Sequence, residues 1–315
     1  MTLPQMRIGD FSVSAIGLGC MPFSLTMTKI VPPREQSIAT VHAALDAGIT
    51  LLDTANVYAP TWDTIGHNEE IVAEALRTYT GPADVGVVMV ATKGGSARGE
   101  GETWGRNASL DGLRAACEKS LAILGMPSID LYQLHRHDPK MTYFEQAQSL
   151  AALRDAGLIR RAGLSNCTLA ELNLALEVLG GPNDGGIVSV QNEFSPRYRN
   201  DVDVLDRCTE LGIVFLPWSP LGGAVQAQEV GSRYAEFAQV AEEVGASAQE
   251  VVLAWLRGLS PVMLPIPGAS RPATIASIVR SLSISLTAEQ QARLTATVPE
   301  SVSMFPDNGP RSALR

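Results

Sequence analysis

Four residues of this 315-residue chain could together move a proton: Asp53, Tyr58, Lys93 and His135. Asp53 follows the apolar pair Leu51-Leu52, and Tyr58 comes five residues later. Lys93 follows Val87-Val88-Met89-Val90-Ala91-Thr92, and His135 follows Ile129-Asp130-Leu131-Tyr132-Gln133-Leu134. In a buried parallel strand the apolar part is core, and the first polar residue marks where the strand leaves it. Singly, each has an ordinary explanation. Asp53 could cap the next helix, Lys93 could be a solvated surface lysine, His135 a hydrogen-bonded structural histidine and Tyr58 an amphipathic rim residue.

On one rim, however, the four make a working acid–base set for carbonyl reduction. Hydride addition to a carbonyl builds negative charge on oxygen, so a proton donor must stand there. A free tyrosine, with a pKa of about 10, is a poor acid at neutral pH. A neighbouring ammonium favours the phenolate and is expected to lower that pKa, which is the role read for Lys93. Asp53 would keep Lys93 charged, and His135 would orient the carbonyl oxygen or assist proton transfer. No Ser/His/Asp order or metal-ligand spacing competes. His67 lacks a ligand partner, and His135-Arg136-His137 puts its two rings on opposite sides of an extended chain.

The elements that must position this set repeat along the chain. The first polar residues past successive apolar runs are Asp53, Lys93, His135, Ser165-Asn166, Gln191, Trp218-Ser219 and Ser270-Arg271. Eight such runs, beginning with Ala15-Ile16-Gly17-Leu18 and ending with Val262-Met263-Leu264-Pro265-Ile266-Pro267, alternate with amphipathic helical stretches. Gly48 closes the first helix, and Thr168-Glu171, Ser247-Glu250 and Thr287-Gln290 open later ones as caps. Gly9-Asp10-Phe11 reads as an N-terminal β-hairpin, residues 94–107 as a glycine-rich loop, and two extra helices follow Gly222-Gly223. Alternating strands and helices imply a parallel sheet with helices outside, and eight units suggest an α/β (β/α)8 TIM barrel, one domain over residues 1–315. No G-x-G-x-x-G follows the first run, as a dinucleotide-binding open sheet would require.

Composition narrows the partners. The chain is 45% hydrophobic and 18% charged, with net charge −9, a pI of about 5.0 and no Lys/Arg cluster. Nucleic acid and anionic membranes are therefore not expected partners. Four widely spaced cysteines without a CxxC pair favour a reducing compartment. With no secretory signal and no apolar run long enough to span a bilayer, a cytoplasmic protein is expected. The oligomeric state is left open.

Between Arg7 and about Leu294 the chain resembles the aldo-keto reductases. The matching motifs are Gly17-Leu18-Gly19-Cys20-Met21, Asp53-Thr54-Ala55-Asn56-Val57-Tyr58, Ala91-Thr92-Lys93, Asp130 to His135, Gly163-Leu164-Ser165-Asn166, Gln191-Asn192-Glu193 and Pro217 to Gly222. The resemblance implies a TIM barrel with NADPH extended across its top. It implies Asp53, Tyr58, Lys93 and His135 as a catalytic tetrad, with Tyr58 the acid. Ser165, Asn166 and Gln191 would hold the nicotinamide carboxamide, Trp218 would stack on its ring, and Cys20 and Met21 would border it. Ser219, Leu221 and Gly223 would line the pyrophosphate.

The chain departs from the family pattern after the eighth run. Where many members carry Lys-Ser and then Arg and Glu-Asn around the 2′-phosphate and adenine, this sequence has Gly268-Ala269-Ser270-Arg271, then Thr274, Ser277 and Ile278. Gly268 and Ser270 are placed at that end of the cofactor, and Arg271 is left to pair with a 2′-phosphate or stack on adenine. NADP(H) is favoured and NAD(H) stays open. Phe23, Trp62 and Trp104, with the tail around Phe305, are read as pocket walls for a small-molecule carbonyl substrate, a pyridoxal-like aldehyde among others. The same site run towards oxidation as an NAD-linked dehydrogenase, or kept as a cofactor-sensing regulatory subunit, are the alternatives.

Overall fold

Gly9 sits in the left-handed region at φ 61° and lets the chain reverse tightly. β1 (Gln5–Ile8) and β2 (Phe11–Ser14) therefore pair antiparallel, as Gly9-Asp10-Phe11 predicts. The computed structural model describes residues 3–26, 30–305 and 313–315.

Strand and helix then alternate through β3 (Leu18–Gly19), α1 (Arg34–Asp46), β4 (Leu51–Asp53), α2 (His67–Thr78) and β5 (Met89–Gly94). A second antiparallel hairpin, β6 (Ser96–Gly99) and β7 (Thr103–Arg106), replaces the expected glycine-rich loop. Among its residues only Thr103 is β-branched, so no strand pattern marks it. A cross-strand pair helps hold it: Arg98 lies opposite Trp104, its guanidinium 5.0 Å from the ring centroid. The alternation resumes with α3 (Leu110–Leu124), β8 (Leu131–Leu134), α4 (Tyr143–Asp155), β9 (Ala162–Ser165), α5 (Leu169–Leu179), β10 (Ile187–Gln191), α6 (Val202–Leu211) and β11 (Val214–Phe215). α7 (Ala224–Arg233), α8 (Ala235–Val244), α9 (Ala248–Leu259), α10 (Pro272–Arg280) and α11 (Ala288–Thr295) complete the chain.

Seven strands form one curled parallel sheet in the order β11-β10-β9-β8-β5-β4-β3. Outside it, each helix from α1 to α5 packs on the next, and α1 also packs on α10. Inside, Leu51, Met89, Ala91, Leu131, Val188, Val214, Leu216, Leu264 and Ile266 share one buried cluster, and Ile8 and Val13 of the hairpin join it.

The eighth apolar run forms no strand, and the first is shorter than expected, its strand confined to Leu18–Gly19. Proline explains the eighth. Pro265 and Pro267 have no N–H to give a ladder, so on the β3 side they only accept, from Gly17 N at 2.9 Å and Gly19 N at 3.0 Å. On the β11 side Phe215 N donates to Val262 O and Leu264 N to Phe215 O, both at 2.9 Å. The run is left with single bridges, Phe215 to Met263 and Gly19 to Gly268.

The caps read at Thr168, Ser247 and Thr287 all form reciprocal boxes, and a further one, Thr142 with Glu145, opens α4. All four cysteines are free and buried, and burial pushes the Cys117 and Cys208 thiols up to about 12. Among the described residues no helix is long and apolar enough to cross a membrane, and no cluster of His, Cys, Asp and Glu could hold a metal ion.

Candidate active site

Side chains on a strand alternate between faces, so two residues beyond each inward apolar side chain stands another inward one. Leu51 is followed by Asp53, Ala91 by Lys93 and Leu131 by Gln133, and register places Asp53 beside Ala91 and Lys93 beside Gln133. A polar layer thus lies on the inner apolar cluster at the carboxyl ends of the strands. Gly163 on β9 makes room for it, because a Cβ there would collide with Ser189 Oγ.

Asp53 and Lys93 are the centre of this layer. Lys93, fully buried, donates from Nζ to Asp53 Oδ2 and to Thr54 O, each at 2.8 Å, and to the Tyr58 hydroxyl at 3.4 Å. Burial alone would lower the Lys93 pKa, but Asp53 and then Tyr58 outweigh it and hold the ammonium above its ordinary value. Asp53 Oδ1 accepts from Gln191 Nε2 at 2.8 Å and from Gln133 Nε2 at 3.4 Å. Gln133 was not among the residues read as chemical, although its place two residues after Leu131 points it inward.

Tyr58 and His135 face each other at the mouth, ring centroids 5.8 Å apart and planes at 85°. The expectation of a lowered Tyr58 pKa is not met. Burial pushes the phenol up, and Lys93 pulls against burial without reversing it, so the hydroxyl keeps its proton through neutral pH. Burial, with Lys93 and Arg136 nearby, holds His135 well below the ordinary histidine range, so the ring is neutral. Its Nδ1 is enclosed without a hydrogen-bond partner among the described residues. Such a set can donate a proton to an oxygen lodged between the two rings and steady the phenolate left behind.

The neutral histidine has a consequence for stability. Its folded pKa lies below the unfolded value of about 6.5, so below that pH the unfolded chain takes up a proton that the folded one refuses, and stability falls as pH falls. Between about pH 7 and 5, wild type is expected to lose up to about 1.4 kcal/mol per pH unit relative to His135→Gln, read from urea midpoints. Glu69 and Glu193, both raised by burial, titrate in both proteins and drop out of the difference. Parallel pH curves would mean that the folded protein accepts the proton.

Next to the tetrad lie Ser165, Asn166, Gln191 and Trp218, joined in one network. Ser165 Oγ donates to Gln191 O at 2.8 Å, Asn166 Nδ2 to His135 O at 2.9 Å and Trp218 Nε1 to Asn166 Oδ1 at 3.0 Å. Asn166 and Ser219 sit in the left-handed region at φ 57° and 48°, strained for residues other than glycine. Cys20 N donates to Asp53 O at 2.8 Å, and Met21 packs against Ala55, Val57 and Tyr58.

Further along the rim, Leu221 packs into the apolar layers and Gly223, at φ 91°, precedes α7. Met304 lies over Gly223 so closely that a Cβ there would collide with its Cε. The tail that carries it is fastened by buried Glu193, which accepts from Ser303 Oγ at 2.6 Å and Met304 N at 3.1 Å. Phe305 comes within 5.6 Å of the Trp218 ring.

Gly268 pairs with Gly19, Ser270 O accepts from Gln36 Nε2 at 2.6 Å, and Arg271 is exposed just before α10. Ser277 Oγ donates to Glu250 Oε1, which Arg280 also pairs, and Ile278 is buried in the core.

Of the three side chains read as pocket walls, Phe23 is not at the mouth. It is fully buried among Leu18, Val41 and Ile71, because its short 3-10 turn points it under α1 and α2. Trp62 and Trp104 are exposed at 38% and 52%, and Trp104 already stacks on Arg98.

The Aldo/keto reductase family model matches residues 15–298. An uncharacterized oxidoreductase of Schizosaccharomyces pombe is 33% identical over 290 residues, 92% of this chain and 88% of its own length. Pyridoxine 4-dehydrogenase of Escherichia coli is 30% identical over 278 residues, 86% of this chain and 90% of its own. An aldo/keto reductase from Klebsiella pneumoniae, solved in complex with NADP and acetate, matches with a TM-score of 0.75 and 25% identity, over 95% of this chain and 96% of its own.

Proposed function

The chain belongs to the aldo/keto reductase family and is an enzyme, and on that premise we propose that it reduces an aldehyde or ketone to an alcohol with NADPH. The observation that carries this reading is the buried Lys93–Asp53 pair with Nζ 3.4 Å from the Tyr58 hydroxyl, opposite a neutral His135. Tyr58 gives its phenolic proton to the carbonyl oxygen. Lys93 stabilises the phenolate until a proton returns from water, and Asp53, itself held by Gln191 and Gln133, keeps the ammonium in place. His135 orients the oxygen as a neutral donor.

The residues present suit a nicotinamide cofactor, which supplies the hydride. Ser165, Asn166 and Gln191 are clustered amide and hydroxyl groups matched to a carboxamide, and Trp218 offers the ring face beside them. Ser219, Leu221 and Gly223 make the loop for the pyrophosphate, from which Met304 must withdraw, and Arg271 takes the 2′-phosphate. NADP is favoured because the Klebsiella pneumoniae relative was solved with it. Catalysis in this reading is that of one cytoplasmic domain whose eighth run completes a closed barrel. Pyridoxine 4-dehydrogenase among the relatives supports a flat aromatic aldehyde of the pyridoxal kind, enclosed by Trp62, Trp104 and Phe305.

A second reading, NAD-linked oxidation of an alcohol, is favoured by the adenosine end. There Ser277 is tied to Glu250 and Ile278 is core, so neither offers a polar contact. Titration of tryptophan fluorescence with each cofactor separates the two. NADPH is expected to quench at lower concentration than NADH, and Arg271→Ala to weaken NADPH alone, by about tenfold or more for a lost charge-assisted contact. NADH bound as tightly as NADPH would favour the dehydrogenase, and quenching by neither would remove the nicotinamide site.

A further inference from the structure

Tyr58 sits on a loop, not on a strand, and something must hold that loop if its hydroxyl is to stay within reach of Lys93. From one side α2 does so: Gly66 N donates to Asn56 O at 2.9 Å and Asn68 N to Tyr58 O at 3.2 Å. From the other side a single side chain reaches across from β6. Arg98, whose side chain is only 3% exposed, donates from one terminal nitrogen to Ala59 O at 2.6 Å and to Val57 O at 3.5 Å. These are the carbonyls on either side of Tyr58.

We propose that Arg98 is a positioning residue for Tyr58, and that the β6–β7 hairpin exists to deliver it. The proposal rests on Tyr58 being the proton donor. Arg98 is itself fixed by two contacts made within the hairpin. Its other terminal nitrogen pairs with Glu102, and its guanidinium lies 5.0 Å from the Trp104 ring centroid. Glu102 adopts the left-handed region at φ 62° at the hairpin turn and accepts from Trp62 N at 3.1 Å, so the same carboxylate ties the loop after Tyr58 to the hairpin. A guanidinium suits this task because its fork can meet several acceptors in one plane while staying charged. A buried cation whose remaining acceptors are main-chain carbonyls would be costly at a position with no purpose.

Displacing a catalytic group by about 1 Å can cost a hundredfold in rate even when nothing else changes. Arg98→Met, Arg98→Lys, Glu102→Gln and Tyr58→Phe would be assayed with 4-nitrobenzaldehyde and NADPH, each variant also titrated with NADPH by tryptophan fluorescence. Arg98→Met is expected to lower kcat by about ten- to a hundredfold, with KM and NADPH affinity near wild type. Arg98→Lys, which keeps one cationic donor, should recover most of the loss, and Glu102→Gln should show a smaller loss of the same kind. Arg98→Met at wild-type kcat beside an inactive Tyr58→Phe would overturn the Arg98 role and leave the function intact. Full activity in Tyr58→Phe would overturn both. If Arg98→Met does not fold, the lysine and glutamine variants carry the test, and a loss of kcat and NADPH affinity together in those two would mark a merely structural side chain and overturn the proposal.

Discussion

Tyr58→Phe is expected to lower kcat by about a hundred- to ten-thousandfold, the usual contribution of a positioned acid, while leaving NADPH affinity near wild type. The change removes one oxygen from a ring that packs with Met21, Ala55 and Val57 and lies edge-on to His135, so the fold has little reason to respond. The lost group is also the only hydroxyl within 3.4 Å of Lys93 among its hydrogen-bond partners. Because burial keeps the phenol protonated through neutral pH, wild-type reduction should be flat across that range and decline only in alkali, as Tyr58 loses its proton. A variant that turns over aldehyde at the wild-type rate would move the acid elsewhere, with His135 the first residue to examine.

Lys93→Met should fail in a different way, losing stability as well as turnover. It leaves Asp53, only 4% exposed, without its cation, and stripping one partner from a buried pair costs about 3–5 kcal/mol. The thioether also cannot donate to Thr54 O, so a buried carbonyl loses its 2.8 Å donor. The double variant Asp53→Asn with Lys93→Met removes the orphaned charge and is expected to regain most of that stability without regaining turnover. Urea midpoints and NADPH oxidation rates on the three proteins separate the two roles. A single variant as stable as wild type would mean that the glutamines, and not Lys93, keep Asp53 comfortable in the interior.

Much of this arrangement was legible because strand periodicity and strand exits are strong signals. The exits at Asp53, Lys93, Ser165 and Gln191 were readable from apolar runs alone; register pairs Ser165 with Gln191, and hydrogen bonds join Asp53 to Lys93 and Gln191. What escaped had weaker or contrary signals. Gln133 lies inside an apolar run, where a polar residue counts against a strand unless its facing is tracked. The sign of the Tyr58 shift depends on how much water is excluded, which no spacing reports. Phe23 was read as a pocket wall, yet one turn of 3-10 helix is enough to swing it into the core. The β6–β7 hairpin has a single β-branched residue, Thr103, and the prolines of the eighth run look apolar while denying it a ladder. Thr142-Glu145 was missed although it has the same spacing as the three caps that were read.

The four buried thiols also make the native chain nearly invisible to cysteine-directed reagents. With Cys117 and Cys208 pushed up to about 12, on the order of one thiol in a hundred thousand is ionised at neutral pH, and all four are closed to solvent. A single new thiol would therefore take up a maleimide dye alone. Gly105 on β7 is exposed and has open space where a side chain would go, so Gly105→Cys would put a fluorescent reporter on the hairpin without first deleting any native cysteine.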